Sequence, residues 1–439
     1  MKPIIPVIAL ALFAASAFSE TVKDREGAVR GDKAAMEHDV RWIYNDYKKG
    51  FQRAEAEGKP LLVVLRCVPC LACAGIDASV LQEPELQPLL DQFICVRVIN
   101  ANALDLSLFQ VDYDLSFSTV FFNGDGTVYG RYGSWMHQKS PQEKTTAGFK
   151  KAMQAALALH RKYPANKSAL AGKQGVALPF KDPLEIPQLA GKYKRDLDWQ
   201  GKVVQSCVHC HQVGDAIRSY YRAETKHVPM EWIYPWPAPE TIGISLATED
   251  IARVQDVAPG SVAAKAGIKA GDEFTRLNGQ PLTSIADVSW ILHRSPEAGD
   301  LDAIIFREGK EQRVKVDLPS GWRMKSDISR RVGTWEMRAM ALGGLFVEDL
   351  PDEKRTERNL SKDSMALFVK HAGEYGVHAA AKNAGFRKDD ILISVDGITR
   401  KTSESELIGY LLQKHIPGDK APAVVLRGAE RINLTLPIQ

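Results

Sequence analysis

The chain has 439 residues, too many for one ordinary core, and its length points to about three domains. It is 45% hydrophobic and 25% charged, a soluble globular composition without low-complexity tracts. Its 57 basic and 54 acidic residues leave a formal charge of +3, which argues against nucleic acid as a partner, since the densest basic run, Lys192 to Arg195, stops at Asp196.

Residues 1–19 read as a signal peptide. Lys2 supplies the positive end, Ile4 to Phe18 is mainly apolar, and Ala15-Ser16-Ala17 and Ala17-Phe18-Ser19 carry small residues at cleavage spacing. The run is shorter than the roughly 20 residues a spanning helix needs, with an uncleaved anchor as the competing reading. No later segment is long and apolar enough to cross a bilayer, so no membrane span is expected in the mature chain. The expected location is exported, periplasmic or cell envelope. Six cysteines in such a protein would suggest structural disulfides, but their spacing points to redox or cofactor pairs.

Residues 36–165 follow a strand–cysteine–helix order. A helix over Tyr44 to Glu57 precedes Leu61 to Leu65, an unbroken apolar run that predicts a buried parallel strand. Cys67, Cys70 and Cys73 follow at once and open a second helix. Further strands are expected over Phe93 to Val98, Thr119 to Asn123 and Val128 to Tyr132, with a turn at Gly124-Asp125-Gly126. This order resembles a thioredoxin-like domain. The resemblance puts Cys70 and Cys73 at the first helical turn, where backbone amides and the helix dipole favour thiolate, with Cys67 as a third thiol able to exchange with them. One departure is the stretch Leu115 to Thr119, which lacks the proline that thioredoxins place opposite their dithiol. Structural or metal-binding cysteines are the alternative. Cys95 is expected as a buried small hydrophobe.

Cys207-Val208-His209-Cys210-His211 has the C-x-x-C-H spacing of a c-type haem attachment site, two thiols for the porphyrin vinyl groups and an imidazole for the iron. Residues 186–238 are accordingly expected to be a haem-binding segment carrying one covalent haem c, with Cys207, Cys210 and His211 attached to it. A redox C-x-x-C before a chance His and half of a zinc site are the alternatives. His227 and Met230 are both within reach as a sixth ligand, and Met230 is the choice. The segment resembles the opening of a small cytochrome c, with a helical run expected over Trp199 to Ser206.

Ala266-Gly267-Ile268-Lys269-Ala270-Gly271-Asp272 with Asn278-Gly279 is echoed by Ala384-Gly385-Phe386-Arg387-Lys388-Asp389-Asp390 with Asp396-Gly397. The spacings match, so this is an internal repeat. Helices are expected over Ile285 to His293 and Glu404 to Leu412. Each copy resembles a bacterial PDZ domain, over residues 239–320 and 341–438, with 321–340 as a linker. That resemblance implies that an extended C-terminal peptide adds as a strand while loop amides hold its carboxylate. Ile242, Gly243 and Ile244 are the expected loop in the first copy, Gly344 and Leu345 in the second. A copy that serves only as a packing module is the alternative.

The fold class expected is therefore multidomain α/β plus α+β, with a thioredoxin-like domain, a short cytochrome c-like segment and two PDZ-like domains. The order resembles a bacterial family described by its thioredoxin-like and PDZ domains, some of whose members are selenoproteins. It implies an exported redox protein in which haem passes electrons and Cys67, Cys70 and Cys73 carry out thiol-disulfide or peroxide chemistry. Its partners would be a redox protein and C-terminal peptides. The second reading is a non-enzymatic envelope adaptor. A serine protease of the high-temperature-requirement type is set aside, because no Gly-x-Ser-Gly-Gly loop is present.

Overall fold

The computed structural model describes residues 24–67, 81–115, 117–133 and 146–439. Helix α1 (Arg25–Met36) leads into a five-stranded mixed sheet of order β1-β3-β2-β4-β5. Its strands are β1 (Trp42–Tyr44), β2 (Leu61–Arg66), β3 (Ile94–Val98), β4 (Phe117–Phe122) and β5 (Val128–Tyr132). β2 lies parallel to β3 and antiparallel to β4, Leu61 facing Ile94 on one side and Phe122 on the other.

The apolar run of β2 suits this central position because both faces of the sheet are covered. Side chains alternate between faces, so the run divides into two cores. Leu61, Val63 and Leu65 join one core with Val96 and Val120. Leu62 and Val64 join the other with Cys95, Phe121 and Phe149, Ala152 and Met153 of α3 (Thr146–His160). Helix α2 (Tyr47–Glu57) closes the first face; a Cβ on its Gly50 would meet Val96 Cγ2 at 2.4 Å.

Cys95 is 1% exposed on β3, and burial pushes its thiol up to about 12. At pH 8 it is expected to resist iodoacetamide in the folded chain and to react fully in 6 M guanidinium (mass spectrometry of the peptide is the readout), since the thiolate is the nucleophile.

The helix expected over Trp199 to Ser206 does not form. Asp198 Oδ1 accepts from Gly201 N–H at 2.9 Å, and the amides of Val203 and Val204 donate to Glu26 of α1 at 3.0 and 3.1 Å. An aspartate turn and adjacent β-branched residues win over helix propensity here. The helix begins only at Cys210, as α4 (Cys210–Glu224). Its Val213 and Ile217 enter the same core as β2, Leu345 and Leu407. The expected cytochrome c-like segment is thus corrected: it is no separate helical unit but part of the common core.

The first repeat pairs β6 (Ile244–Leu246) with β7 (Val254–Val257) and builds a sheet β11-β10-β8-β9 from β8 (Glu273–Leu277), β9 (Gln280–Pro281), β10 (Gly299–Arg307) and β11 (Lys310–Leu318). Helix α5 (Ile285–Arg294) packs on it. Residues 321–340 contain most of α6 (Thr334–Leu342). The second repeat forms one sheet in chain order, β12 (Leu345–Asp349), β13 (Leu367–Ala372), β14 (Ile391–Val395), β15 (Lys420–Arg427) and β16 (Glu430–Pro437), with α7 (Glu404–Lys414).

The sequence echo has a physical counterpart. Arg307 grips both oxygens of Asp272 at 2.6 Å and the Gly267 carbonyl at 2.8 Å. Arg427 does the same to Asp390 at 2.7 and 2.8 Å and to the Gly385 carbonyl at 2.8 Å. Each bidentate pair ties the loop after a short helix to a hairpin strand. Asp389 stands at φ +71° where Gly271 has +90°, a left-handed position that aspartate tolerates.

Candidate functional site

The C-x-x-C-H segment folds against Cys67, the residue that follows β2. His209 caps α4, its amide donating to Gln212 Oε1 at 2.8 Å, and turns its ring so that Nδ1 lies 3.2 Å from Cys67 Sγ. Burial lowers the His209 pKa, and the neighbouring His211, whose ring stacks at 5.9 Å, lowers it further. His211 faces Asp215 at 3.4 Å one helical turn on. Cys207 Sγ lies 3.5 Å from the Ile99 carbonyl, and Met230 packs against the main core.

The cavity bordered by Cys67, Cys207, His209 and Cys210 is about 20 Å³. That holds about one water, whereas cofactor pockets run to roughly 300 Å³ or more. The walls are Val29, Ile99, Leu197 and Val203, a packed apolar cluster. Among the described residues no group of three or more His, Cys, Asp or Glu is placed to hold a metal ion. Cys70 and Cys73 lie outside the described residues.

The first repeat's loop is a one-turn helix, Pro239–Ile242, ended by Gly243 at φ +85°. A Cβ on Gly243 would meet Ser261 Cβ at 2.1 Å, so the position needs glycine twice over, for conformation and for room. The Gly243 amide donates to the Glu240 carbonyl at 2.9 Å. β6 follows at once and pairs with β7 alone among the described strands. Helix α5, opened by Ile285 after the N-cap Ser284, shares a core with Ile244 and Leu246 of β6.

The outer side of α5 is docked on the first sheet. Asp287 accepts from Lys173 Nζ at 2.5 Å with both side chains 0% exposed, and also from the Thr283 amide and hydroxyl. Arg131 of β5 lies 4.0 Å over the Trp290 ring, whose Nε1–H donates to the Gly172 carbonyl at 2.9 Å. Gly130 of β5 makes room for Thr283, whose Oγ1 lies 2.0 Å from where a Cβ would stand.

In the second repeat α6 ends in Gly343 and Gly344, at φ +58° and +89°, and both amides donate to the Arg338 carbonyl. Arg338 makes a bidentate pair with Glu404 of α7 at 2.9 and 2.7 Å. Glu404 Oε1 in turn accepts from the Val347 amide of β12 at 3.0 Å.

A junction cavity of about 150 Å³ is lined by Asp112, Asp114, Arg218, Trp232, Trp236 and His293. Arg331 donates to Asp112 and, at 2.9 Å, to Asp114, while Arg218 stands 3.7 Å from Asp114. Burial raises Asp112 to about 6, and its neighbour Asp114 is lowered by Arg331 and Arg218 against its own burial. His293 stacks on Trp236 at 5.5 Å and is lowered well below 6.5 by burial and by the surrounding arginines. Sequence reading missed Arg331, Arg338, Glu404, Lys173 and Asp287.

A thioredoxin-like family model matches residues 42–124, and a PDZ domain model matches residues 253–299. The chain is 31% identical over 187 residues to a periplasmic pH-dependent serine endoprotease, DegQ of Escherichia coli, which covers 42% of this chain and 35% of that protein. It is 40% identical over 76 residues to the periplasmic serine endoprotease DegP of the same organism, 17% of this chain and 16% of that one. A probable DegP-like endoprotease of Marinomonas is 36% identical over 177 residues, 40% of this chain and 34% of that protein. The chain thus spans about a third or less of the length of these relatives. A solved HtrA-type protease, AlgW with a decapeptide, shares 19% identity over 31% of this chain and 40% of that one, with a TM-score of 0.21.

These findings correct several expectations. The relatives are named serine endoproteases, so the haem-bearing thioredoxin-like/PDZ family is not supported, nor are the redox function, the structural or sensory redox motifs of its adaptor alternative and the oxidoreductase class. The covalent haem c at Cys207, Cys210, His211 and Met230 meets a cavity for one water and no metal-holding cluster among the described residues. The expected redox partner falls with it. The fold class is corrected too, in that the expected cytochrome c-like unit is not formed by the described residues and the relatives are named as periplasmic serine endoproteases. The protein is exported and works in the periplasm or cell envelope. No described helix is long and apolar enough to cross a membrane.

Proposed function

We propose that this chain captures the C-terminal segments of envelope proteins in the groove of its first repeat. The observation that carries this reading is β6, whose second edge pairs with no described strand, set directly after a glycine-ended loop and shortly ahead of residues 253–299, which the PDZ model matches. An extended tail would add to β6 through its backbone, and alternate side chains would face α5. Ile242, Gly243 and Ile244 would hold the terminal carboxylate, the Gly243 amide exchanging its bond to Glu240 for the ligand. Such capture is the step this chain would share with the endoproteases it resembles.

The test is fluorescence anisotropy with decapeptides whose last four residues are randomised. Binding that vanishes when the peptide C-terminus is amidated supports the reading; equal binding of both forms refutes it. Gly243→Ala is expected to weaken binding at least about tenfold, because the added Cβ collides with Ser261 and strains a left-handed residue.

Hydrolysis of the captured chain is the second reading, carried by the names of the relatives. The described histidine ion pairs run to carboxylates, His211 to Asp215, His378 to Glu336 and His415 to Asp396 and Asp419. A fluorophosphonate probe that labels one serine stoichiometrically would support it, and an unlabelled, correctly folded chain would remove it.

A further inference from the structure

We infer that the groove of the second repeat is closed by the chain itself, through Glu404, Arg338 and α6, so that one chain holds one tail. This rests on the peptide-capture reading for the first repeat. In strand addition, the amides along the open edge of the receiving strand donate to the incoming backbone. Counting from the last loop residue, Leu345 in the second repeat and Ile244 in the first, the amide two residues on belongs to Val347 and Leu246. The Val347 amide is already committed, at 3.0 Å, to the Glu404 carboxylate.

The repeats differ at one decisive position. Helix α7 begins with Glu404 after the N-cap Ser403, and α5 begins with Ile285 after the N-cap Ser284. Glutamate at that site reaches the strand and takes its amide; isoleucine has no acceptor to offer. Glu404 is fixed there by Arg338, both side chains under 10% exposed, and the Arg338 guanidinium lies 4.5 Å over the Phe346 ring of β12. The Gly343 and Gly344 amides of the loop also donate to the Arg338 carbonyl, as the Gly243 amide does to Glu240 in the first repeat, so the difference between the repeats lies in Glu404 and not in the loop. Met337, Ala341 and Leu342 of α6 are buried against the core that contains Leu345, Val347 and Leu407. A tail entering here has to displace a charged pair, a helix end and part of the core.

Two measurements on the full chain decide the matter. Hydrogen exchange at the Val347 amide is expected to be protected in the wild type and at least about tenfold faster in Arg338→Met/Glu404→Ala, a replacement that removes both charges together so that neither is left buried alone. Exchange as fast in the wild type as in the double variant would overturn the closure. Titration with the tightest decapeptide from the randomised set is expected to saturate at one equivalent. Ile285→Glu, which copies the closing residue into the first repeat, is expected to weaken binding at least about tenfold. Two equivalents bound by the wild type would also overturn it. If no peptide binds any variant, peptide capture fails, and Val347 exchange still decides whether the second groove is shut.

Discussion

Asp287→Ala is expected to destabilise the protein by about 3–5 kcal/mol, the usual result of removing one partner from a fully buried ion pair. Lys173 and Asp287 are both 0% exposed, and the carboxylate also holds the Thr283 amide and hydroxyl and, through its other oxygen, the Arg131 amide at 3.2 Å. Its loss leaves an ammonium in an apolar site with no counter-charge. Burial already lowers the Lys173 pKa, and without Asp287 it falls further. A base whose folded pKa lies below its unfolded value binds fewer protons in the native state, so stability rises with pH as that base is neutralised. The deficit in urea midpoint is therefore expected to be largest near pH 7 and to narrow toward pH 10. Lys173→Met in the same chain should recover much of the loss. A deficit that stays constant with pH would show that packing, and not the stranded charge, is responsible.

Arg331→Met is the second large effect, again about 3–5 kcal/mol near pH 7.5, because it leaves buried Asp112 without its cation and Asp114 with Arg218 alone. The sign of its pH dependence is opposite. Burial pushes the Asp112 carboxyl up to about 6 in the folded chain, against 3.8 for a free carboxyl, with Arg331 opposing the shift. The folded state therefore holds its proton more readily, and the stability it contributes is full below about pH 4 and lost as pH rises through about 6. Removing the guanidinium raises Asp112 further and lifts Asp114, which Arg331 and Arg218 together hold down. Urea midpoints of the variant should therefore approach the wild type between pH 7.5 and pH 5. A gap that widens on acidification would refute the account.

These two pairs show where the sequence was mute. Lys173 and Asp287 are 114 positions apart, and Arg331 lies 217 and 219 from its two carboxylates. Nothing local marks a lysine or arginine that a distant carboxylate will bury. The strand over Leu61 to Leu65 was legible because an unbroken apolar run fits only a place covered on both faces. The repeats were legible through Asn278-Gly279 and Asp396-Gly397, whose left-handed dihedrals are local requirements of a hairpin turn.

The C-x-x-C-H motif misled for the same reason in reverse. Its spacing states what three residues can do together and says nothing about the space around them. Val29, Ile99, Leu197 and Val203 come from three separate stretches of chain and fill that space. The position of Glu404 was invisible too: at the start of a helix it reads as a favourable acidic residue, and its second role depends on the register of a strand more than fifty residues earlier.

The docking of α5 on β5 carries a mechanical consequence. A helix that lines a groove on one side and is bolted to a sheet on the other is a lever with no slack. A tail captured as proposed that wedged α5 outward would load Lys173, Arg131 and the seat that Gly130 leaves for Thr283, all at the β5 edge of the five-stranded sheet.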